Sequence, residues 1–175
     1  MGAECPLSGV KQSHNRSPNT CLILERQIVK YLSMPFSYYI DSNVNCVFIR
    51  SIGKIPLFGT QEVIQKILDD QDFDPGMNML FDTSRSKLPS EWNYKFFTDS
   101  NSGVNQDLFV GQTDFKMAWV VADGKDFAKF HQMILSTRLS PNIVERKVYR
   151  DVETAKLWLG LQGKYKINES SFSKT

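Results

Sequence analysis

Histidine is almost missing from this chain, with only His14 and His131 in 175 residues. A nucleophile–histidine–acid arrangement needs an imidazole beside a serine or cysteine. His14 lies in a polar N-terminal stretch, and His131 follows Phe130 on a predicted helix, where a structural or surface role fits it better than catalysis. No Gly-x-Ser-x-Gly sequence occurs. Cysteine is scarce too: Cys5, Cys21 and Cys46 are odd in number and show no Cys-x-x-Cys spacing, which speaks against a disulfide framework or a zinc site. Long apolar runs are absent. Met117–Ala122 stops at Asp123 and Cys21–Leu24 stops at Glu25, far short of the ~20 residues of a membrane span. The first 19 residues are polar and include Glu4, unlike a secretory signal. A reduced, cytoplasmic protein is expected.

An excess of one charge is also missing. Lys plus Arg is 21 and Asp plus Glu is 19, giving +2, too little to make nucleic acid or an anionic membrane the default partner. A phosphate-cradling loop needs glycine amides that converge on an anion. Gly53 and Gly59 are split by Lys54–Phe58, and no Gly-Lys-Thr follows. Asp69, Asp70, Asp72 and Asp74 stand close together, but their spacing lacks the glycine and closing glutamate of a calcium loop. They read as a solvated helix end and turn. No cofactor and no metal is expected, and no catalytic set emerges.

What is present suits one globular domain. The mass is 20.1 kDa, with 41% hydrophobic and 23% charged residues. A chain of this size buries roughly 70% of its unfolded surface and needs no staple. Residues 1–35 read as an N-terminal extension, partly disordered, with a short helix possible over Leu22–Leu32. Met34 as the natural first residue, with an upstream extension before it, is one reading of this stretch. Residues 36–162 form the predicted domain and 163–175 a polar, frayed tail.

Phe36–Asp41 and Cys46–Ile52 are rich in β-branched and aromatic residues and flank Asp41–Asn45, the pattern of a hairpin. Thr60 is placed to cap a helix with Val63, Ile64, Ile67 and Leu68 inside. Met77–Asp82 reads as a strand. Ser90 is placed to cap a second helix carrying Trp92, Phe96 and Phe97, and Val104–Val110 reads as a further helical piece. Lys116–Ala122 is nearly all apolar, as for a strand covered on both faces. Asp123 can cap a helix with Phe127, Phe130, Ile134 and Leu135 inward. Ile143–Tyr149 reads as the last strand. Asp151 can cap a last helix with Ala155, Trp158 and Leu159 inward, stopped by Gly160. The order β-β-α-β-α-β-α-β-α predicts an α/β fold with a mixed, mostly parallel sheet of about five strands, entered by a hairpin, and about four helices.

In open α/β sheets ligands and partners gather at the carboxyl ends of strands. Asp82, Thr83, Ser84 and Arg85 are predicted there, with Asp123 at the end of the next strand. They either fix the loop among themselves or face a partner. Residues 36–82 hold 3 basic and 7 acidic residues against 14 and 10 in 83–175, so the second half is the more basic. Arg146, Lys147 and Arg150 cluster at the last strand, where alternating charges guard an edge against aggregation.

Ile67-Leu-Asp-Asp-Gln-Asp-Phe-Asp-Pro-Gly-Met-Asn-Met-Leu-Phe-Asp82 resembles the bacterial STAS-like proteins related to anti-sigma factor antagonists, of sporulation stage II AA-like fold. Val148-Tyr-Arg-Asp-Val-Glu-Thr-Ala-Lys-Leu-Trp-Leu-Gly160 resembles their closing strand and helix, and the likeness covers about residues 36–160. The resemblance implies a non-enzymatic α/β module, helices on one side of its sheet, that acts in regulation by binding another protein. It also implies a phosphorylated Ser or Thr at a helix start after the third strand. Ser90 is the corresponding candidate, although the usual Asp-Ser-Ser/Thr-Gly sequence is absent. The expected partner surface is Asp82, Thr83, Ser84, Arg85 and Ser90. A similar architecture in lipid-carrying Sec14-type domains gives a second expectation: an apolar small molecule or lipid held by Trp92, Phe96, Phe97, Phe109 and Trp119. Those aromatics otherwise form the core.

Overall fold

The computed structural model describes residues 35–93, 95–96, 109, 114–137 and 144–172. The predicted arm and its helix over 22–32 lie outside the described residues, as do Phe97 and all of 104–110 except Phe109. Strands β1 (Phe36–Asp41) and β2 (Cys46–Lys54) are joined by a single 3-10 turn over Ser42–Val44. Asp41 accepts the Asn43 amide, and Asn45 takes the left-handed conformation at φ 50°, which closes the turn tightly. Helix α1 (Gly59–Leu68) leads to β3 (Asn78–Lys87), then β4 (Phe115–Val120), α2 (Gly124–Thr137), β5 (Val144–Tyr149) and α3 (Val152–Trp158).

The sheet order is β1-β2-β3-β4-β5. β1 pairs antiparallel with β2, and every later pairing is parallel. This is the expected mixed, mostly parallel five-stranded sheet entered by a hairpin. One face carries Val47, Ile49, Met79, Phe81, Met117 and Trp119 and packs on Val63, Ile64 and Ile67 of α1 and Phe130, Met133 and Ile134 of α2. The other carries Tyr39, Cys46, Phe48, Leu80, Ala118 and Val120 and packs on Ala155 of α3 and on Leu159 and Leu161 beyond it. Apolar side chains on both faces of β2, β3 and β4 explain their near-continuous hydrophobic runs. The resemblance implied helices on one side only. Here α3 lies on the opposite face from α1 and α2.

The two acidic caps form as expected. Asp123 accepts the amides of Lys125 and Asp126 at 2.7 and 3.2 Å. Asp151 accepts the Thr154 amide at 2.8 Å and its hydroxyl at 3.0 Å. Gly160 stops α3 with φ 84°; its amide bonds Leu157 and the Leu161 amide bonds Lys156, the two bonds of a Schellman motif.

Four local expectations are corrected. Thr60 does not cap α1. The helix begins two residues earlier, with Phe58 at the cap position, where Gly59 fits against Pro56 and Phe36, so Thr60 is buried in the first turn. The second predicted helix does not start at Ser90: residues 90–93 form a turn, Asn93 accepts the Phe96 amide at 3.0 Å as a cap does, and residues 95–96 are helical. Leu135 is 56% exposed, and Met133 takes its inward place on α2. The frayed tail is ordered through Phe172: Tyr165, Ile167 and Phe172 pack on the α3 face of the sheet, covering Tyr39 and Phe48 that α3 alone is too short to cover.

Candidate functional site

β3 runs past Asp82 to Lys87, so Asp82–Arg85 lie within a strand and not in the loop after one. The reason is a longer β2, whose Ile52, Gly53 and Lys54 pair with Arg85, Ser86 and Lys87 after a register shift opposite Thr83 and Ser84. That irregularity disperses the predicted cluster. Thr83 turns inward and donates to the Val120 carbonyl at 2.8 Å. Asp82 accepts the Ser84 amide at 3.1 Å and its hydroxyl at 2.6 Å, so the two act as one unit. Arg85 remains exposed.

Ser90 is not brought to this group. The carbonyl of its neighbour Pro89 accepts from Lys129 of α2, and Trp92 donates to the Leu57 carbonyl, which puts the turn on the α1 and α2 face. The Ser90 hydroxyl donates to the Glu91 carboxylate at 3.0 Å. The nearby helical residues 95–96 are capped by Asn93, whose side chain accepts the Phe96 amide at 3.0 Å, so a phosphate at Ser90 would sit three residues ahead of that cap and not on it. Trp92, Phe109 and Trp119 are buried in the core with Phe96 packed against it. Trp119 stacks on Phe81 at 4.1 Å, and Trp92 meets Phe130 edge-on at 5.9 Å. These described rings fill space between the sheet and its helices.

Asp82 faces the other side of the sheet and opens onto a half-open cavity of about 420 Å³. β2 and β3 supply its floor with Phe48, Arg50, Leu80 and Asp82; α3 supplies Val152, Glu153 and Lys156; residues 165–172 form the third wall. Three cations (Arg50, Lys156, Lys166) and three acids (Asp82, Glu153, Glu169) share it. Lys156 is taken up by Glu153, with Nζ–O distances of 3.0 and 2.8 Å.

Arg50 is the centre of the cavity. Its side chain is 14% exposed because β2 points it, like Phe48, toward the α3 face. Its Nε lies 3.8 Å from Asp82 Oδ2. Both terminal nitrogens meet the Glu169 carboxylate: Nη2 donates to Oε1 at 2.8 Å, and Nη1 donates to Oε2. The guanidinium carbon lies over the Phe172 ring, 4.1 Å from its centre. This is the bidentate, stacked geometry for which arginine is suited and lysine is not. The Glu169 bonds raise the guanidinium pKa above its ordinary value, against the opposing effect of burial. The Arg50 hydrogen bonds in turn hold the Glu169 carboxyl below the usual carboxylate range, with a smaller contribution from the charge of Arg85. Arg85 pairs with Ile52, two residues beyond Arg50 on β2, which sets it beside the cavity though outside its lining.

Tyr39 and Tyr165 line up beneath. The Tyr165 hydroxyl donates to Asp41 at 2.6 Å, and the Tyr39 oxygen accepts the Asn168 amide at 3.0 Å. Burial raises the pKa of both phenols, most strongly for Tyr165, where the Asp41 bond adds to it. Both therefore remain neutral hydrogen-bonding groups at physiological pH.

Arg50, Glu169 and Phe172 were not among the predicted site residues. One signal was available. Phe48 and Arg50 share a face of β2, so a charged residue sits where the strand's alternation calls for an apolar one. Among the described residues, no group of three or more His, Cys, Asp or Glu side chains converges as metal ligands would. No described helix is long and apolar enough to cross a membrane.

No protein-family model matches the sequence, and no curated protein matches it. Among solved structures, the chain is similar to an uncharacterised protein of the DUF3478 family with a SpoIIAA-like fold from Shewanella loihica PV-4. The identity is 15% and the TM-score 0.44, over 71% of this chain and 93% of that one. At this distance the likeness says nothing about what either protein binds.

Proposed function

We propose that this chain is a non-enzymatic regulatory module that recognises another protein through the Arg50 cavity and its Asp82, Ser84 and Arg85 rim. The observation that carries the reading is the guanidinium of Arg50, 14% exposed in the floor of an open cavity and gripping a carboxylate that is itself 70% exposed. A sheet-mounted arginine beside an aromatic ring is a recognition device for an acidic group, since its fork is fixed before the ligand arrives. The lining contains no Ser, Cys or His, the side chains that a hydroxyl– or thiol–imidazole pair needs. The regulatory setting is the one that the STAS-like resemblance implies. The alternative, an apolar-ligand carrier, draws less support, because Trp92, Phe109 and Trp119 are already packed against other core residues.

Selection of a displayed random-peptide library on the immobilised full chain tests the reading. Enrichment that is lost on the Arg50→Ala and Arg85→Ala chains is the expected result. A library that enriches nothing, or enriches the same peptides on both variants, contradicts it.

A further inference from the structure

The segment that walls the cavity is built like a bound peptide. Its anchors are few and spaced. Asn168 gives its amide to the Tyr39 oxygen at 3.0 Å and accepts the Ser170 amide and hydroxyl at 3.2 and 2.8 Å. That cap starts a single 3-10 turn, Glu169–Ser171. A 3-10 turn repeats every three residues, so residues 169 and 172 return to the same side. Glu169 thereby reaches both terminal nitrogens of Arg50, while Phe172 slides beneath the guanidinium and meets Tyr39 edge-on at 4.9 Å. Between the two anchors, Ser170 is exposed and Ser171 half-buried.

We propose that residues 168–172 are a built-in occupant of the Arg50 cavity, and that the partner displaces them with a peptide of the same chemistry: a carboxylate followed three residues later by an aromatic ring. The inference rests on the Arg50 cavity being the recognition site proposed above. The lining itself argues for this ligand class. Arg50 and, beside the cavity, exposed Arg85 supply the positive charge, and Phe48, with Tyr39 stacked on it at 5.0 Å, supplies an aromatic floor. Lys156 is already neutralised by Glu153, which leaves Lys166 and the arginines to anchor an incoming carboxylate. The attachments of the occupant include those to Arg50 and to Tyr39, while Glu169 stays mostly in solvent. Such a segment opens locally without unfolding the sheet beneath it.

The test uses the full chain and a fluorescent peptide with the sequence of residues 165–172, Tyr-Lys-Ile-Asn-Glu-Ser-Ser-Phe. Fluorescence anisotropy is followed for the wild-type chain and for the Glu169→Ala/Phe172→Ala chain. If the built-in segment fills the cavity nine-tenths of the time or more, the double variant binds the peptide at least about tenfold more tightly than wild type. Adding Arg50→Ala to the double variant abolishes the gain, and peptides carrying Glu169→Gln or Phe172→Ala bind about tenfold more weakly. A folded double variant that binds no more tightly than wild type overturns the proposal. Should that variant fail to fold, Glu169→Gln in the full chain replaces it, and an unchanged affinity overturns the proposal equally. Library peptides that depend on Arg50 but lack the carboxylate–aromatic spacing would overturn this inference and leave the proposed function standing. A library with no Arg50-dependent peptide removes both.

Discussion

Replacing Arg50 with alanine removes three attachments of the C-terminal segment at once: two hydrogen bonds to Glu169 and the stack on Phe172. An ion pair with one exposed partner contributes about 0.2–1 kcal/mol. A cation over an aromatic face contributes about 0.5–2 kcal/mol, toward the upper end when shielded from water, as Arg50 is. Together the segment loses about 1–3 kcal/mol against local opening, or roughly 5- to 150-fold in the open population. Asp82 keeps its two Ser84 donors, at 3.1 and 2.6 Å, so the sheet beneath is not left with a bare carboxylate. Amide hydrogen exchange reads the effect directly. The amides of Asn168 and Ser171, bonded to the Tyr39 oxygen and the Asn168 carbonyl, should exchange faster by that factor. Amides of β2, β3 and β4 should keep most of their protection. Arg50→Lys, which retains charge but not the fork or the stack, should fall between. Unchanged exchange at Asn168 and Ser171 in the alanine chain would refute the reasoning, since it would show that other contacts hold the segment.

Acid should release the same segment. The Glu169 carboxyl is lowered from its ordinary 4.5 by the Arg50 bonds, so its contribution is complete above that pH and is lost as the pH falls through the lower folded value; the protection of the Asn168 amide, measured against its intrinsic exchange rate at each pH, should fall below pH 4.5, and less so in Arg50→Ala. Asp151→Ala removes both Thr154 bonds at the start of α3 and should shift the denaturant midpoint downward, whereas Asp69→Ala, which loses a surface bond from Gln65, should leave it nearly unchanged. Gly160→Ala meets no atom within 4 Å but must hold φ 84°, so a cost of about 1 kcal/mol in the unfolding transition would reflect backbone conformation alone. Phe81→Ala empties a fully buried site stacked on Trp119 and should cost about 3–5 kcal/mol by the same measurement.

Local chemistry made much of the fold legible. The hairpin, β4, α2 and α3 were each marked by an apolar pattern bounded by its own polar punctuation, with Asp123, Asp151 and Gly160 acting as predicted. Where a boundary is decided by a distant strand, the sequence was silent. Thr83-Ser-Arg-Ser-Lys87 has no hydrophobic pattern, and it is strand because β2 extends alongside it. Ser90 looked like a helix cap, yet that place is taken by Asn93, which accepts the Phe96 amide ahead of helical residues 95–96. The candidate site was the least legible part. Asp82 and Arg85 were singled out, but for a loop that does not exist there. Arg50 and Glu169 lie 119 positions apart, so no spacing rule connects them, and Phe172 sat in a stretch too polar to suggest burial. Only the packing of residues 165–172 on β1 and β2 brings them together.

The central claim is that an incoming partner is read by Arg50 in the place now held by Glu169 and Phe172. Nuclear magnetic resonance on the isotopically labelled full chain tests it most directly, with a library-selected peptide added to saturation. The account predicts that the largest shifts fall on the Arg50 side-chain Nε–H, on Tyr39 and on Asn168–Phe172, with the α1 and α2 face undisturbed. Shifts centred on α1 and α2, with the Arg50 and Asn168 signals unmoved, would contradict it.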